Sequence, residues 1–281
     1  MKKVLIIGVD SLIGKTLYLN LKKIFKVYGT SRREQNDFLK LNLLSSMKKF
    51  PSIPNIDTII FCAGITNIVN CQRKKNLSNK ININGLKKVL KKYKNKKNQI
   101  IYFSSTCVFD GKKPFQKIKD IRKPLNHYGY QKKVCEDLIL NNKGLIIRAA
   151  KLVETSSSLI KKWKKDLKQG KNIFPYTGVN TSLISLKNIV EIIKYSIDKK
   201  KSGILHLSAP DEISYLDIAK ILTIKLKIKI NKIIPITVPK KLKKNFSKFC
   251  SLDVTDQVKK ITKLKNSNKV LKEYLLKKRG N

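Results

Sequence analysis

Histidine, cysteine and acidic residues are scarce in this chain, and each scarcity excludes a class of site. Only two histidines occur in 281 residues, and the five cysteines are scattered without a Cys-x-x-Cys pair. Since a structural zinc ion needs clustered thiolates or imidazoles, we predict no metal site. An odd number of isolated cysteines also argues against a disulfide framework and favours a reducing cytoplasm as the location.

Long apolar runs are missing as well. No run approaches the ~20 residues that a membrane-spanning helix needs. The apolar run at residues 4–7 is too short for a signal peptide, and Gly8-Val9-Asp10 interrupts it. The sequence therefore predicts neither a membrane span nor secretion.

The shortage of acidic residues leaves a strongly basic chain, with 18 acidic residues against 63 basic ones and a formal net charge of +45. Such a charge ordinarily indicates a nucleic-acid partner. Only six of the basic residues are arginine, however, and the lysines are spread along the whole sequence. Because lysine, asparagine and isoleucine share A/T-rich codons, genome composition is the simpler cause. We predict no specific nucleic-acid partner, with only weak binding at low salt.

What the chain does contain is an alternation of short apolar runs and longer segments with helical spacing. Strands are predicted over residues 3–7, 25–30, 38–43, 57–63, 99–103, 144–148 and 203–208, with an extended segment over 233–238. Helices are predicted over residues 12–25, 71–93, 126–142, 156–169, 185–198, 214–227 and 267–278. This alternation is typical of an α/β fold with a doubly wound, Rossmann-like parallel sheet.

Two regions follow from this pattern. Residues 1–150 are predicted to form a dinucleotide-binding Rossmann domain that also takes in elements of 182–208. Residues 151–281 are less regular and are predicted to form a smaller α+β region that mainly binds the substrate.

A glycine-bearing turn joins the first strand to the first helix. Such a turn presents backbone N–H groups and the positive end of a helix to a phosphate. The cofactor-binding residues predicted here are Gly8, Ser11, Leu12, Ile13 and Gly14. Ser11 replaces the middle glycine of the usual pattern, which weakens the motif, although serine is small enough to permit close approach.

The second strand ends in Thr30-Ser31-Arg32-Arg33, without an acid at its tip. In dinucleotide folds an acid at this place binds the ribose hydroxyls of NAD, whereas an arginine accommodates the 2′-phosphate of NADP. Arg32 and Arg33 therefore favour NADP, with NAD as the alternative cofactor. The other interpretation is that both arginines lie on a solvated loop.

Further cofactor contacts are predicted after other strands. Asn42 follows the third strand, where we place it near the adenine. Ala63, Gly64 and Thr66 follow the fourth strand, and small residues there let the backbone pass close to the cofactor. Asn82 is a polar residue on an otherwise apolar turn, so it either hydrogen-bonds into the active site or caps a kink.

Ser105, Tyr128 and Lys132 are the candidate catalytic residues. If Asn126 opens a helix, Tyr128 and Lys132 lie one turn apart on the same face. A free tyrosine has a pKa of about 10, and a neighbouring ammonium favours the phenolate. Ser105 lies at the carboxyl end of a strand, the edge at which parallel sheets bind ligands. The trio suits proton transfer at a carbonyl oxygen, whereas the simpler reading is an exposed tyrosine packed on a lysine stem.

Taken together, the motifs resemble those of the extended short-chain dehydrogenase/reductases, and among them the dTDP-4-dehydrorhamnose reductase family. The resemblance covers nearly the whole chain in the right order. It rests on Gly8-x-x-Ser11-x-x-Gly14, Ala63-Gly64-x-Thr66-Asn67, Asn82-x-x-Gly85, Ser104-Ser105-x-x-Val108-Phe109-Asp110-Gly111, Tyr128-Gly129-x-x-Lys132 with Glu136, and Ile147-Arg148.

The resemblance implies a reductase of a nucleotide-linked 4-keto sugar, in nucleotide-sugar or surface polysaccharide biosynthesis. Ser105 and Tyr128 would bind the C4 oxygen, NADPH would give the hydride and Tyr128 the proton. Lys132 would lower the Tyr128 pKa and hold the nicotinamide ribose. The residues that it places beside the substrate are Cys107, Val108, Phe109, Tyr128 and Arg148. Family members often form homodimers, so a homodimer is the partner state that the resemblance suggests.

Three departures from the family pattern keep the sugar open. The usual Ser-Thr-Asp-Tyr is Ser104-Ser105-Thr106-Cys107, the usual Arg-Thr-Ser-Trp is Arg148-Ala149-Ala150-Lys151, and the usual Gly-Ser-Pro-Thr is Gly178-Val179-Asn180-Thr181. The alternatives are an NAD-dependent epimerase or dehydratase of the same superfamily and a non-catalytic sugar-nucleotide-binding or dinucleotide-binding regulator. A dehydratase needs an acid and a base near the hydroxyl position, and Thr106-Cys107 offers neither.

Overall fold

The computed structural model describes residues 1–154, 157–239 and 247–276. Its strands are β1 (Lys3–Ile7), β2 (Lys26–Ser31), β3 (Leu39–Lys40), β4 (Thr58–Phe61), β5 (Gln99–Ser105), β6 (Leu145–Ala149), β7 (Lys151–Leu152), β8 (Asn180–Thr181), β9 (Leu183–Ile184), β10 (Gly203–Leu207) and β11 (Ile213–Ser214). Its helices are α1 (Leu12–Leu21), α2 (Ile68–Arg73), α3 (Lys75–Asn79), α4 (Gly85–Tyr93), α5 (His127–Asn141), α6 (Ser157–Lys168), α7 (Leu186–Asp198), α8 (Tyr215–Leu226), α9 (Asp256–Ile261) and α10 (Ser267–Leu276).

A seven-stranded sheet in the order β10-β6-β5-β4-β1-β2-β3 forms the centre of the fold. All of its strand pairs are parallel, as their β-branched, apolar sequences favour. Because the order reverses between β1 and β4, a crevice opens there at the carboxyl ends of the strands. The predicted doubly wound, Rossmann-like fold is confirmed.

Two apolar layers cover the faces of this sheet. One face packs against α1, α7 and α9, and its core includes the fully buried side chains of Leu17 and Ile189. The other face packs against α4 and α5, with Leu86 and Ile139 buried in its core. The sheet thus holds α5, which carries Tyr128, in a fixed position beside β5.

A smaller region lies beyond β6. Helices α6, α8 and α10 enclose their own core around Trp163, Leu222 and Leu271. Two short strand pairs belong to this part of the chain, the parallel β7–β9 and the antiparallel β8–β11. Between β9 and β11 the chain returns to the main sheet, where α7 packs on α1 and β10 pairs with β6.

Three predicted elements differ from those observed. The third strand is only Leu39–Lys40, because the Asn42 side chain accepts the Leu44 N–H at 3.0 Å and turns the chain. The first helix ends at Leu21 and not at Phe25, whose N–H still bonds to the Leu21 carbonyl. The long helix predicted over 71–93 is broken into α2, α3, a π-helical turn and α4.

The remaining predictions agree closely with the described residues. Helix α5 begins after its cap Asn126 and ends at Asn141. The segment 233–238 is extended and makes two bridges to the loop before β8. Residues 156, 277 and 278 of two predicted helices lie outside the described residues. Within the described residues, no helix is both long and apolar enough to cross a membrane.

Candidate active site

The turn after β1 is closed by hydrogen bonds of Ser11. Its hydroxyl donates to the Gly8 carbonyl at 2.9 Å and accepts the Gly14 N–H at 3.0 Å, which caps α1. A Cβ at Gly14 would lie 2.3 Å from the Gly8 oxygen, so only glycine fits there. Ser11 therefore keeps the turn tight in the place of the usual middle glycine.

Gly8 brings the ends of β1 and β4 together. It adopts a φ of +92°, and a Cβ on it would lie 2.7 Å from Ala63. The gap between the two strand ends is thus backbone-lined, and the amino end of the ten-residue α1 points at it. Small residues where the strand order reverses, together with the N–H groups at the start of a helix, suit the binding of a dinucleotide diphosphate. Leu12, 42% exposed, lies at this helix end.

The other predicted cofactor residues lie along the same edge. Arg32 and Arg33 follow β2 and are exposed. Asn42 is also exposed, and its Oδ1 accepts the Leu44 N–H. Gly64 and Thr66 are exposed in the loop after β4.

Asn82 fixes the loop after β4. It lies in the π-helical turn Lys80–Asn84, where its Oδ1 accepts the Ile65 N–H at 2.8 Å. Its Nδ2 donates to the Ile65 carbonyl at 2.9 Å and to Gln131 Oε1 at 2.8 Å. Because Gln131 precedes Lys132 on α5, Asn82 ties the loop after β4 to the helix that carries Tyr128 and Lys132.

Ser105 and Tyr128 meet where β5 ends and α5 begins. The Ser105 hydroxyl accepts the Cys107 N–H at 3.2 Å and hydrogen-bonds Tyr128, an interaction that lowers the tyrosine pKa. Gly129 makes this approach possible, because a Cβ on it would lie 2.1 Å from the Cys107 carbonyl. The structure thus brings together the serine and tyrosine that the sequence predicted.

Lys132 lies one turn further along α5. Its Nζ donates to the Phe103 carbonyl at 2.7 Å and lies 4.5 Å from the centre of the Tyr102 ring. The centre of the Tyr128 ring is 5.6 Å away. The ammonium is therefore held by the end of β5 while still facing Tyr128.

The pKa of Tyr128 differs from the expectation. Burial raises it well above its usual value, with Cys107 and Cys71 acting in the same direction. Burial also lowers the pKa of Lys132, although Cys135 and Glu136 oppose that change. The surroundings of Tyr128 thus favour the neutral phenol, the form that can donate a proton.

Three residues predicted beside the substrate are buried instead. Val108 and Phe109 are 0% and 1% exposed, and Arg148 is 1% exposed. The Arg148 guanidinium binds Glu136 at 2.8 and 2.9 Å, contacts His206 at 3.1 Å, and lies 5.0 Å from the Phe109 ring centre. The Arg148 donors are used inside the protein, and the Val108 and Phe109 side chains are buried, so these three residues are not proposed as substrate contacts. Cys107, which is half-buried beside Ser105, remains a candidate substrate contact.

Lys151 and Tyr215 extend the site into the smaller region. Lys151 Nζ donates to the Tyr215 hydroxyl at 2.8 Å. Burial raises the pKa of the Cys107 thiol, and the Lys151 charge opposes that change. Tyr215 opens onto a cavity of about 900 Å³. The cavity is lined by the aromatic residues Trp163, Phe174, Tyr176 and Tyr215, by the lysines Lys162, Lys171 and Lys232, and by the acid Asp166. The only sequence signal for Lys151 was its departure from the family pattern at that position.

The fold and the placement of these residues define the class of protein, an extended short-chain dehydrogenase/reductase. A family model described as "RmlD substrate binding domain" matches residues 1–278. The chain belongs to this family, which confirms the resemblance read from its motifs. No curated protein matches the chain in sequence.

Solved structures share the fold over nearly the whole chain. A hypothetical dTDP-4-dehydrorhamnose reductase from Sulfolobus tokodaii is 25% identical with a TM-score of 0.79, over 95% of this chain and 96% of its own. The dTDP-4-dehydrorhamnose reductase of Bacillus anthracis, solved in complex with NADP, is 18% identical with a TM-score of 0.82, over 98% and 99%. The Yersinia enterocolitica enzyme of the same name is 23% identical with a TM-score of 0.80, over 98% and 99%.

Proposed function

We propose that this protein reduces the 4-keto group of a nucleotide-linked sugar with NADPH, as a dTDP-4-dehydrorhamnose reductase does, in nucleotide-sugar or surface polysaccharide biosynthesis. The observation that carries the proposal is the cluster of Ser105, Tyr128 and Lys132, which lies at the same carboxyl edge of the sheet as the glycine turn after β1. Family membership supports it, as does the NADP named for the Bacillus anthracis structure. NADH is the alternative cofactor.

The proposed chemistry assigns one task to each residue. A bound nicotinamide would supply the hydride for the carbonyl carbon. Ser105 hydrogen-bonds the carbonyl oxygen and orients it. Tyr128, kept protonated by burial, donates its proton to that oxygen as negative charge develops. Lys132, next to the phenol, stabilises the phenolate left behind and holds the cofactor ribose.

The cavity beyond Tyr215 is the proposed place of the nucleotide. Its aromatic side chains offer flat surfaces for a base, and its lysines offer positive charge for phosphates. Lys151 lies between the cavity and Cys107, where it is within reach of the diphosphate or of the sugar. The site residues therefore form a path from the base to the reacting carbonyl.

The test is consumption of NADPH or NADH with a panel of nucleotide-linked 4-keto sugars. We expect one mole of reduced cofactor to be oxidised for each mole of sugar reduced. Conversion of a nucleotide sugar without net cofactor consumption would instead identify an epimerase or dehydratase. Tight binding of sugar nucleotides with no turnover of any substrate would identify a non-catalytic binder.

A further inference from the structure

A carboxylate from the glycine turn lies at the tip of β2. Ser31 ends this strand, is 1% exposed, and donates its hydroxyl hydrogen to Asp10 Oδ2 at 2.9 Å. The Asp10 Oδ1 accepts from Gln35 Nε2 at 3.4 Å. Asp10 itself is exposed, so its carboxylate is oriented by the protein yet open to a ligand.

The backbone fixes this juxtaposition. Strands β1 and β2 are parallel neighbours, with Ile7 opposite Thr30. The N–H groups of Gly8 and Val9 both donate to the Thr30 carbonyl, at 3.2 and 2.9 Å. The turn that follows β1 is therefore held against the tip of β2, and Asp10 cannot move away from that tip without breaking these bonds.

The tip of β2 is where dinucleotide folds distinguish their cofactors. An acid there binds the adenosine ribose hydroxyls of NAD, and an arginine there accommodates the 2′-phosphate of NADP. Here β2 offers Ser31 in place of an acid, followed by Arg32 and Arg33. The missing carboxylate comes from the neighbouring turn.

Ser31 links the Asp10 carboxylate to the backbone at the first residues after β2, where the two arginines follow. Its hydroxyl donates to Asp10 and accepts the backbone N–H of Arg33 at 3.0 Å. A 2′-hydroxyl can donate to the carboxylate, whereas a 2′-phosphate placed there meets a like charge on Asp10 and opposite charges on the arginines.

We propose that Asp10 is a cofactor-specificity residue that accepts the ribose 2′-hydroxyl of NADH and opposes the 2′-phosphate of NADPH. It counteracts Arg32 and Arg33, so that the two cofactors bind with affinities within about tenfold of each other. The inference rests on the proposed function only in requiring that the chain binds a nicotinamide dinucleotide.

The test separates the adenosine end from the rest of the cofactor. Calorimetric titrations with ADP, 2′,5′-ADP, NADH and NADPH are compared for the wild type, Asp10→Asn and Asp10→Ser. Both variants should shift the affinity ratio about tenfold toward the 2′-phosphorylated ligands, because the carboxylate is gone. Arg32→Ala combined with Arg33→Ala should shift the ratio the opposite way.

Asp37→Asn is the matched control, because it removes one negative charge from an exposed residue of the neighbouring loop after β2. Its ratio should stay at the wild-type value. Unchanged ratios in both Asp10 variants, with binding retained, would overturn the inference and leave the proposed function standing. Absence of binding of all four ligands to the wild type would overturn both.

Discussion

Two neighbouring serines at the end of β5 have opposite surroundings. Ser105 hydrogen-bonds Tyr128 and accepts the Cys107 N–H, whereas the buried hydroxyl of Ser104 has no hydrogen-bond partner among the described residues. The register explains the difference, because Ser104 pairs with Arg148 inside the sheet and Ser105 with Ala149 at its edge.

This pair gives a matched test of the serine's role. Ser105→Ala should lower kcat about 10²-fold, because the carbonyl oxygen loses a positioned donor. Ser104→Ala should leave kcat unchanged, since it removes only an unpaired hydroxyl. Steady-state kinetics on both variants checks this, and equal losses of kcat would show that the effect on activity comes from packing of β5.

At the residue scale, sequence spacing predicted the features that depend only on residues close together in the chain. The helical separation of Tyr128 and Lys132 followed from four residues of sequence, and the helix cap Asn126 was readable as well. The pKa of Tyr128 was not, because it depends on burial by the fold and on cysteines that lie far away in sequence. Arg148 was predicted to be a substrate contact for the same reason, because its enclosure by Glu136 and His206 depends on the fold.

Helix α5 is anchored to the sheet by a buried ion pair. Glu136, 0% exposed, receives Arg148 from β6 and is also reached by Arg122 at 3.2 Å. Glu136→Gln should reduce the free energy of unfolding by about 3 kcal/mol, because it leaves the buried Arg148 charge without its partner.

Asp137→Asn is the control, because Asp137 binds the same Arg122 at 2.7 Å but is half exposed. It should cost under about 1 kcal/mol. Urea denaturation measures both values. Similar losses in the two variants would contradict the view that the buried pair anchors the helix.

His206 on β10 makes stability depend on pH. Burial and then the Arg148 charge lower its pKa to about 4, whereas an exposed histidine titrates near 6.5. The unfolded chain therefore takes up a proton first as the pH falls. The resulting stability is fully present above about pH 6.5 and is lost as the pH falls toward 4, by up to ~3 kcal/mol.

His206→Gln removes this titration while keeping an acceptor for Arg148. Urea midpoints measured from pH 7 to pH 5 should decline less in the variant than in the wild type. Parallel declines would mean that His206 is not held neutral in the folded protein.

At the scale of elements, the long buried strands and helices were predictable and the short ones were not. Strands β1, β4, β5 and β6 carry continuous apolar runs that only a buried parallel sheet explains. Strand β3 has two residues because an asparagine side chain ends it, and the π-helical turn exists because Asn82 reaches Ile65 and Gln131. Both depend on side-chain bonds that apolar periodicity does not report.

For the whole molecule, the single tryptophan provides a reporter of the smaller region. Trp163 is 5% exposed and lines the cavity proposed for the nucleotide. Binding of dTDP or UDP should change its fluorescence, because a base near the indole alters its surroundings. Pyrophosphate and NADP should leave it unchanged, and the absence of any response to a nucleotide shown to bind would place the nucleotide elsewhere.

The main sheet was predictable because β1, β4, β5 and β6 are continuous apolar runs separated by segments with helical spacing. In the smaller region the helices were predictable but the strand pairs were not, since β7, β8, β9 and β11 have two residues each and pair across distant parts of the chain. Its cavity depends on Trp163 and Tyr215 coming together from α6 and α8. The shape of this cavity therefore required the structure.

The central claim is that Tyr128 donates the proton to a carbonyl held by Ser105. The most direct measurement is single-turnover oxidation of NADPH with a reducible nucleotide-linked keto sugar. Tyr128→Phe should slow it by 10² to 10⁴-fold with cofactor affinity unchanged, while Tyr130→Phe, a 50% exposed tyrosine two residues further along α5, should not slow it. An undiminished rate in Tyr128→Phe would contradict the account.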